Sequence, residues 1–188
     1  MPVLCVVMSG CGASAASPAP TPTPTRQAPG PPIDAGAFST VLPAGWQNTI
    51  GDAAEVAKLT AGGRVVYLVE QAPPGRAQPN VNDVRANINV VALSQQVPDD
   101  QLDTYLAGVT DSGATNLSSP QPFTVDGATG RYITYDRDIQ GTPGESRDMV
   151  VNHGTVTYHI VLNTSQFAFT QQLAGLQAVL TAWKWSAS

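Results

Sequence analysis

The stretch SRDMVVNHGTVTYHIVLN, residues 146–163, decides the fold, because it contains two strand-like halves joined at a glycine. In the second half, apolar side chains at 156, 158, 160 and 162 recur at every second position, and Thr157 and His159 stand between them. That is the period of a strand with one buried face. Asn152, His153 and Gly154 between the halves are typical of a turn. We therefore predict a β-hairpin that turns at 152–154.

Further strands precede this hairpin. FSTVLPAGW (38–46) begins with a short apolar strand that Pro43 and Gly45 stop, which leaves Trp46 to cover the core edge. RVVYLVEQ (64–71) and NINVVAL (87–93) are rich in β-branched or aromatic residues and predict two more strands. Pro and Gly mark 72–83 as a loop. Residues 122–127 and 130–136 predict a hairpin that turns at Asp126-Gly127.

Two segments have the period of a helix. In PDDQLDTYLAGV (98–109), apolar residues fall at i, i+3, i+4 and i+7: Leu102, Tyr105, Leu106 and Val109. A second helix is predicted to start near Thr164 or Ser165, and its apolar stripe is Phe169, Leu173, Leu176, Leu180 and Trp183. Strands with one helix inserted and one at the end predict an α+β domain over 37–188, a mostly antiparallel sheet flanked by helices.

The N-terminus carries a processing signal. Residues 1–10 are mostly apolar and end in small residues, as in the last part of a signal peptide. MSGC, ending at Cys11, resembles the bacterial lipobox, which implies diacylglyceryl transfer to the Cys11 thiol and cleavage before it. We therefore expect a lipoprotein on the outer face of the cell membrane. Since no Lys or Arg precedes Arg26, we interpret the signal as shortened at its start.

Residues 11–36 have the composition of a spacer. They consist mainly of Ala, Ser, Pro, Thr and Gly, which cannot bury a core, and Pro-Thr alternation favours polyproline II. We predict a disordered Pro/Thr/Ala-rich linker that lifts the domain off the membrane. Thr21, Thr23 and Thr25 are similar to the Thr-Pro tracts that actinobacteria O-mannosylate, and a plain linker is the alternative.

Composition and motifs exclude several functions. The net charge is −5 and charged residues are only 12%, so we expect no nucleic-acid partner. No GxSxG or P-loop occurs, and both cysteines lie within the first 11 residues. His153 and His159 are interpreted as a turn residue and a sheet-surface residue. Asp136 and Asp138 are interpreted as a surface ladder with nearby arginines. We therefore expect no catalytic residue, no metal and no cofactor.

The tryptophans are the best candidates for a contact surface. Trp183 and Trp185 lie two positions apart, so a continuous helix would point them in nearly opposite directions. If the helix ends near Lys184 and the chain folds back, one is core and the other lines a groove or partner surface. Trp46 is the third candidate, and the alternative is that the tryptophans only cap the core.

With these elements placed, VLPAGW (41–46), NINVVALSQQVPDDQLDTYLAGV (87–109), the two hairpins and LTAWKW (180–185) resemble the PsbP/Mog-like fold. Among bacterial members, the sequence is similar to LpqN-type lipoproteins of mycobacteria and their relatives. The resemblance implies a non-catalytic binding or accessory protein of the envelope. We expect it to act by protein–protein contact or by holding an apolar small molecule. The alternative is a cell-wall or lipid hydrolase with a cryptic site.

Overall fold

The computed structural model describes residues 30–59, 62–72, 84–109, 113–139 and 141–187. Outside them lie the predicted signal segment, most of the loop 72–83, Cys11 and the three candidate glycosylation sites, Thr21, Thr23 and Thr25. The strands are β1 (Pro32–Asp34), β2 (Phe38–Val41), β3 (Trp46–Asn48), β4 (Gly63–Gln71), β5 (Asn87–Leu93), β6 (Gln121–Val125), β7 (Ala128–Ile139), β8 (Thr142–His153), β9 (Val156–Ser165) and β10 (Lys184–Trp185). The helices are α1 (Ala53–Ala57), α2 (Leu102–Val109) and α3 (Phe169–Ala182), with a 3-10 turn, Asp99–Gln101, directly before α2.

The centre of the fold is a seven-stranded sheet with the order β3-β4-β5-β9-β8-β7-β6. A three-stranded sheet, β1-β2-β10, lies beside it. All pairings between these strands are antiparallel. The predicted α+β class, an antiparallel sheet flanked by helices, is confirmed.

Helices cover both faces of the large sheet, which is why its central strands are buried on both sides. On one face, α3 and the small sheet enclose the main core, in which the rings of Phe38 and Trp183 stack with centroids 3.6 Å apart. On the other face, α2 packs Leu106 against Ile133 and Val150. A third cluster joins α1 to β4 and β5 on that same side of the sheet.

Both predicted hairpins form. At Asp126-Gly127, φ is +41° and +83°, which fits the predicted two-residue turn of type I′. The second turn lies at Gly154 and Thr155, because His153 is still paired with Val156. The predicted position, 152–154, is wrong. The positive φ of Gly154, +58°, allows a two-residue turn that starts at the glycine rather than ending there.

The predicted start of the last helix is wrong. Thr164 and Ser165 still belong to β9, where they pair with Glu145 and Gly144. A turn over 166–168 follows, and α3 begins at Phe169 without a side-chain cap. Threonine and serine occur both as helix N-caps and in strands. The local sequence therefore did not show that β9 continues through Ser165 to pair with the first residues of β8.

The ordered fold includes residues that the sequence assigned to the spacer. Within 30–36, β1 pairs with β2, and Leu42 N–H donates to the Pro31 carbonyl at 2.8 Å. The half-buried side chain of Ile33 packs against the main core. Backbone hydrogen bonds hold this segment in place. Such bonds need few apolar side chains, so amino-acid composition does not reveal them.

Candidate functional site

A groove of about 770 Å³ lies along α2 and the connection that follows β5. Its apolar lining comes from Leu93, Val97, Pro98 and Tyr105. Its hydrogen-bonding lining comes from Ser94, Gln95, Gln96, Gln101 and Thr104. No Asp, Glu, Lys or Arg is among the described residues that line it.

Hydrogen bonds hold the connection 94–98 against the sheet. Val97 N–H donates to the Thr157 hydroxyl at 2.8 Å, and the Asn152 amide donates to the Val97 carbonyl at 2.8 Å. At the other end, Ser94 N–H donates to the Gly62 carbonyl at 3.0 Å. This wall of the groove is therefore tied to three separate parts of the fold.

A buried polar network lies behind Tyr105. The carboxylate of Asp148, on β8, is 3.0 Å from His159 Nε2 and accepts a hydrogen bond from the Tyr135 hydroxyl at 3.1 Å. Asp148 is 1% exposed. The Tyr105 ring stands edge-on to the His159 ring, with centroids 5.7 Å apart. One aromatic side chain thus separates the network from the groove.

Burial extends the protonated form of two tyrosines to higher pH. Burial, with a smaller effect of the Asp148 charge, raises the pKa of Tyr135 to about 12. Burial also raises the pKa of Tyr105, again with a contribution from Asp148. Tyr135 therefore donates a hydrogen bond to Asp148 at neutral pH.

His159 is not a sheet-surface residue, so that interpretation is wrong. Its strand face is covered by α2, which leaves its side chain 12% exposed. The sequence missed the network because Tyr135, Asp148 and His159 lie on the strand faces opposite the predicted core. The alternation of polar residues there resembled a solvated face. One sequence signal could have revealed the covered face. The apolar stripe of α2 must be buried against another element, and the second face of the sheet was the available one.

His153, at the end of β8, stacks on Trp185, with centroids 4.2 Å apart. The hydrogen bonds among the described residues include none from a serine to His153 or His159. The Asp148–His159 pair alone resembles part of a hydrolytic triad.

The tryptophans occupy different environments. Trp46 and Trp183 are 7% and 1% exposed, so neither offers a surface to a partner in this structure. The helix ends at Ala182 and the chain returns as β10, as the spacing of Trp183 and Trp185 had suggested. Trp185 is partly exposed, and its ring covers His153 and Tyr158.

The predicted ladder of aspartates and arginines is wrong. Asp136 accepts from the Asn116 amide, and Asp138 accepts from Gly141 N–H. Arg131 instead pairs with Asp103 on α2, at 2.6 Å. Because α2 packs across the sheet, it places Asp103 next to Arg131. Across the described parts of the chain, no three His, Cys, Asp or Glu side chains come together as a metal site.

No protein-family model matches this chain, and no curated protein sequence matches it. Its structure is similar to that of LpqN, described as involved in cell envelope biogenesis of Mycobacterium tuberculosis. The TM-score is 0.58 at 11% identity over 85% of this chain and 87% of LpqN. The two proteins share a fold. The predicted resemblance is confirmed at that level.

Two further structures are similar. A Bacteroides thetaiotaomicron protein has a TM-score of 0.50 at 11% identity, and the match covers 86% of this chain but 50% of that one. Cyanobacterial PsbP from Synechocystis has a TM-score of 0.47 at 11% identity, over 80% of this chain and 87% of PsbP. None of the helices in the described residues is both long and apolar enough to cross a membrane.

Proposed function

We propose that this protein is a lipid-anchored accessory protein on the outer face of the cell membrane. In this proposal it is not an enzyme, and it holds an uncharged, largely apolar small molecule in the groove along α2. The observation that carries the proposal is the groove lining, which joins apolar side chains to amides and hydroxyls without a charge. The fold that it shares with LpqN, a protein described as involved in cell envelope biogenesis, supports the envelope role.

The residues that line the groove favour an uncharged ligand. A charged ligand would lose hydration without gaining an opposite charge, which is costly. An apolar chain or ring would pack on Leu93, Val97 and Tyr105, and the amide of Gln101 or the hydroxyl of Thr104 would bind one or two polar groups. The volume, about 770 Å³, is in the range of small-molecule sites.

The hydrolase alternative has less support. Hydrolysis of the serine type needs a hydroxyl nucleophile within hydrogen-bond reach of the histidine ring. In the described residues, the polar partner of His159 is Asp148, and the ring of His153 is stacked on Trp185. We therefore propose that the Asp148–His159 pair supports the wall behind Tyr105.

Titration with N-phenyl-1-naphthylamine, a neutral apolar dye, tests the groove. We expect saturable fluorescence enhancement. We also expect Gly108→Trp to weaken binding at least about tenfold, since its side chain would occupy the groove. A Cβ at Gly108 meets no atom within 4 Å, and a thermal melt of the variant checks that the larger side chain leaves the fold intact. Thr181→Trp, on an exposed site of α3, is the matched control. Equal binding by both variants would refute the groove as the site.

A separate experiment tests the anchor. The thiol of Cys11 would carry a diacylglyceryl group, which holds a protein on a bilayer through its buried methylenes. Expressed with a complete signal, the protein should partition into the detergent phase of Triton X-114, and Cys11→Ala should partition into the aqueous phase. Identical partitioning of the two would refute lipid anchoring and leave the groove proposal unaffected.

A further inference from the structure

Two exposed apolar side chains lie in segments that bind the same carboxylate. Phe167 is 91% exposed and Leu117 is 46% exposed. The residue before each donates to the same atom: Asn116 Nδ2 is 2.7 Å and Gln166 Nε2 is 3.5 Å from Asp136 Oδ2. Asp136 therefore joins the two segments that carry Leu117 and Phe167.

Phe167 lies in a turn that backbone hydrogen bonds hold on both sides. On one side of it, Gln166 N–H donates to the Pro143 carbonyl at 3.1 Å. On the other side, Ala168 N–H donates to the Ser165 carbonyl at 3.0 Å. A tight turn that displays a phenylalanine leaves a large apolar area in water, which is a feature of contact sites.

Asp136 has a second carboxylate as its cross-strand neighbour. Asp136 and Glu145 lie directly opposite each other on β7 and β8, an arrangement that destabilises a sheet. Burial and then Asp136 raise the pKa of Glu145, and Arg147 offsets this in part. Within the described residues, no lysine or arginine forms an ion pair with either carboxylate.

The nearby arginines are engaged or point away. The Arg147 guanidinium lies over the rings of Tyr132 and Phe169, 4.7 and 5.7 Å from their centroids. Strand alternation directs Arg137 to the opposite face of the sheet from Asp136. A cation from another molecule would relieve the repulsion between the two carboxylates.

We propose that Leu117, Asp136, Glu145 and Phe167 form a docking surface for a protein partner that presents an apolar pocket rimmed by lysine or arginine. Phe167 enters the pocket, and the basic rim pairs with Asp136 and Glu145. A membrane fits less well because anionic headgroups repel these carboxylates. A second copy fits less well because a two-fold interface would bring two acidic pairs together.

Peptide selection against the whole protein tests this chemistry. We expect peptides from a random phage-displayed library to combine two or more basic residues with apolar ones. A synthetic copy of a selected peptide should bind Phe167→Ser at least about tenfold more weakly than the unchanged protein. Glu145→Gln should weaken binding and reduce its salt dependence, because one charge pair is lost. Ile50→Ser, which removes another exposed apolar side chain, should bind normally.

The proposal would be overturned by selected peptides without basic residues, or by equal binding to Phe167→Ser. Self-association that Phe167→Ser abolishes, measured by analytical ultracentrifugation, would assign the surface to a second copy instead. Flotation with phosphatidylglycerol vesicles that depends on Phe167 would assign it to the membrane. The groove is on the α2 side of the sheet, so Phe167→Ser should leave dye binding unchanged.

Discussion

At the scale of single residues, the buried carboxyl group of Asp148 makes a demand on the rest of the fold. A carboxyl group away from water needs hydrogen-bond partners, because burial removes its hydration. Asp148 has two, the Tyr135 hydroxyl at 3.1 Å and His159 Nε2 at 3.0 Å. The three residues lie on three neighbouring strands, β7, β8 and β9. Their network therefore depends on the correct register of the sheet centre.

Tyr135→Phe should show what this network contributes. It removes the hydroxyl that donates to a buried carboxyl oxygen, so we expect the free energy of unfolding at neutral pH to fall by about 1–3 kcal/mol. Burial raises the folded-state pKa of Tyr135 to about 12. The contribution is therefore fully present below the unfolded-state pKa, about 10, and is lost as the pH rises toward the folded value.

Urea denaturation on both sides of about pH 10 measures this dependence. The difference in stability between the unchanged protein and Tyr135→Phe should narrow as the pH rises. Tyr132→Phe is the matched control, because it keeps the ring beneath Arg147. A difference that stays constant across this range would show that ionisation of Tyr135 is not coupled to folding.

At the scale of elements, α3 makes close contact with Trp46 at Gly175. A Cβ at Gly175 would lie 3.1–3.2 Å from the indole ring of Trp46. Glycine in a helix interior costs stability relative to alanine, about 0.5–1 kcal/mol. Here it allows Trp46 to pack directly on the helix backbone, so the tryptophan that ends VLPAGW becomes part of the core.

Two glycine substitutions separate helix propensity from packing. Gly108→Ala on α2 meets no atom within 4 Å and should stabilise the protein by up to about 1 kcal/mol. Gly175→Ala should give no such gain, because Trp46 must move. Thermal melts of both variants, with tryptophan emission as a second readout, test this. Equal stabilisation would show that the contact with Trp46 tolerates a methyl group.

At the scale of the whole molecule, both ends of the described chain meet in the small sheet. β2 pairs with β1 on one side and with β10 on the other. Asp126, in the β6–β7 turn, accepts from Lys184 Nζ at 2.6 Å and from Trp185 N–H at 2.8 Å. The small sheet thus closes the core around the stacked pair of Phe38 and Trp183.

A chain that begins at Gly30 should therefore be more stable than one that begins at Ala37. The shorter chain loses β1, exposes one edge of β2 and removes the contact of Ile33 with the core. We expect both to melt cooperatively, with the midpoint of the shorter chain lower by about 2–8 °C for a loss of 1–2 kcal/mol. Calorimetry measures both midpoints, and equal midpoints would show that β1 adds no stability.

Much of the architecture followed from local sequence. Alternation in β9, β-branched runs in β4 and β5, and the apolar stripe of α2 were visible because each element buries a face with its own period. Asp126-Gly127 identified its turn because both residues tolerate positive φ. Short strands such as β1, β3 and β10 escaped notice, because two or three residues hold too little pattern.

The candidate site is where local sequence was insufficient. Tyr105, Asp148 and His159 are far apart in the chain, and only the packing of α2 across β7 and β8 brings Tyr105 over the other two. The segments that carry Leu117 and Phe167 are joined only in the folded chain, where Asp136 accepts from Asn116 and Gln166. The sequence by itself therefore determined the antiparallel strands, the two long helices and the low charge of the chain. Tertiary structure decided what covers each face, because coverage depends on contacts between distant segments.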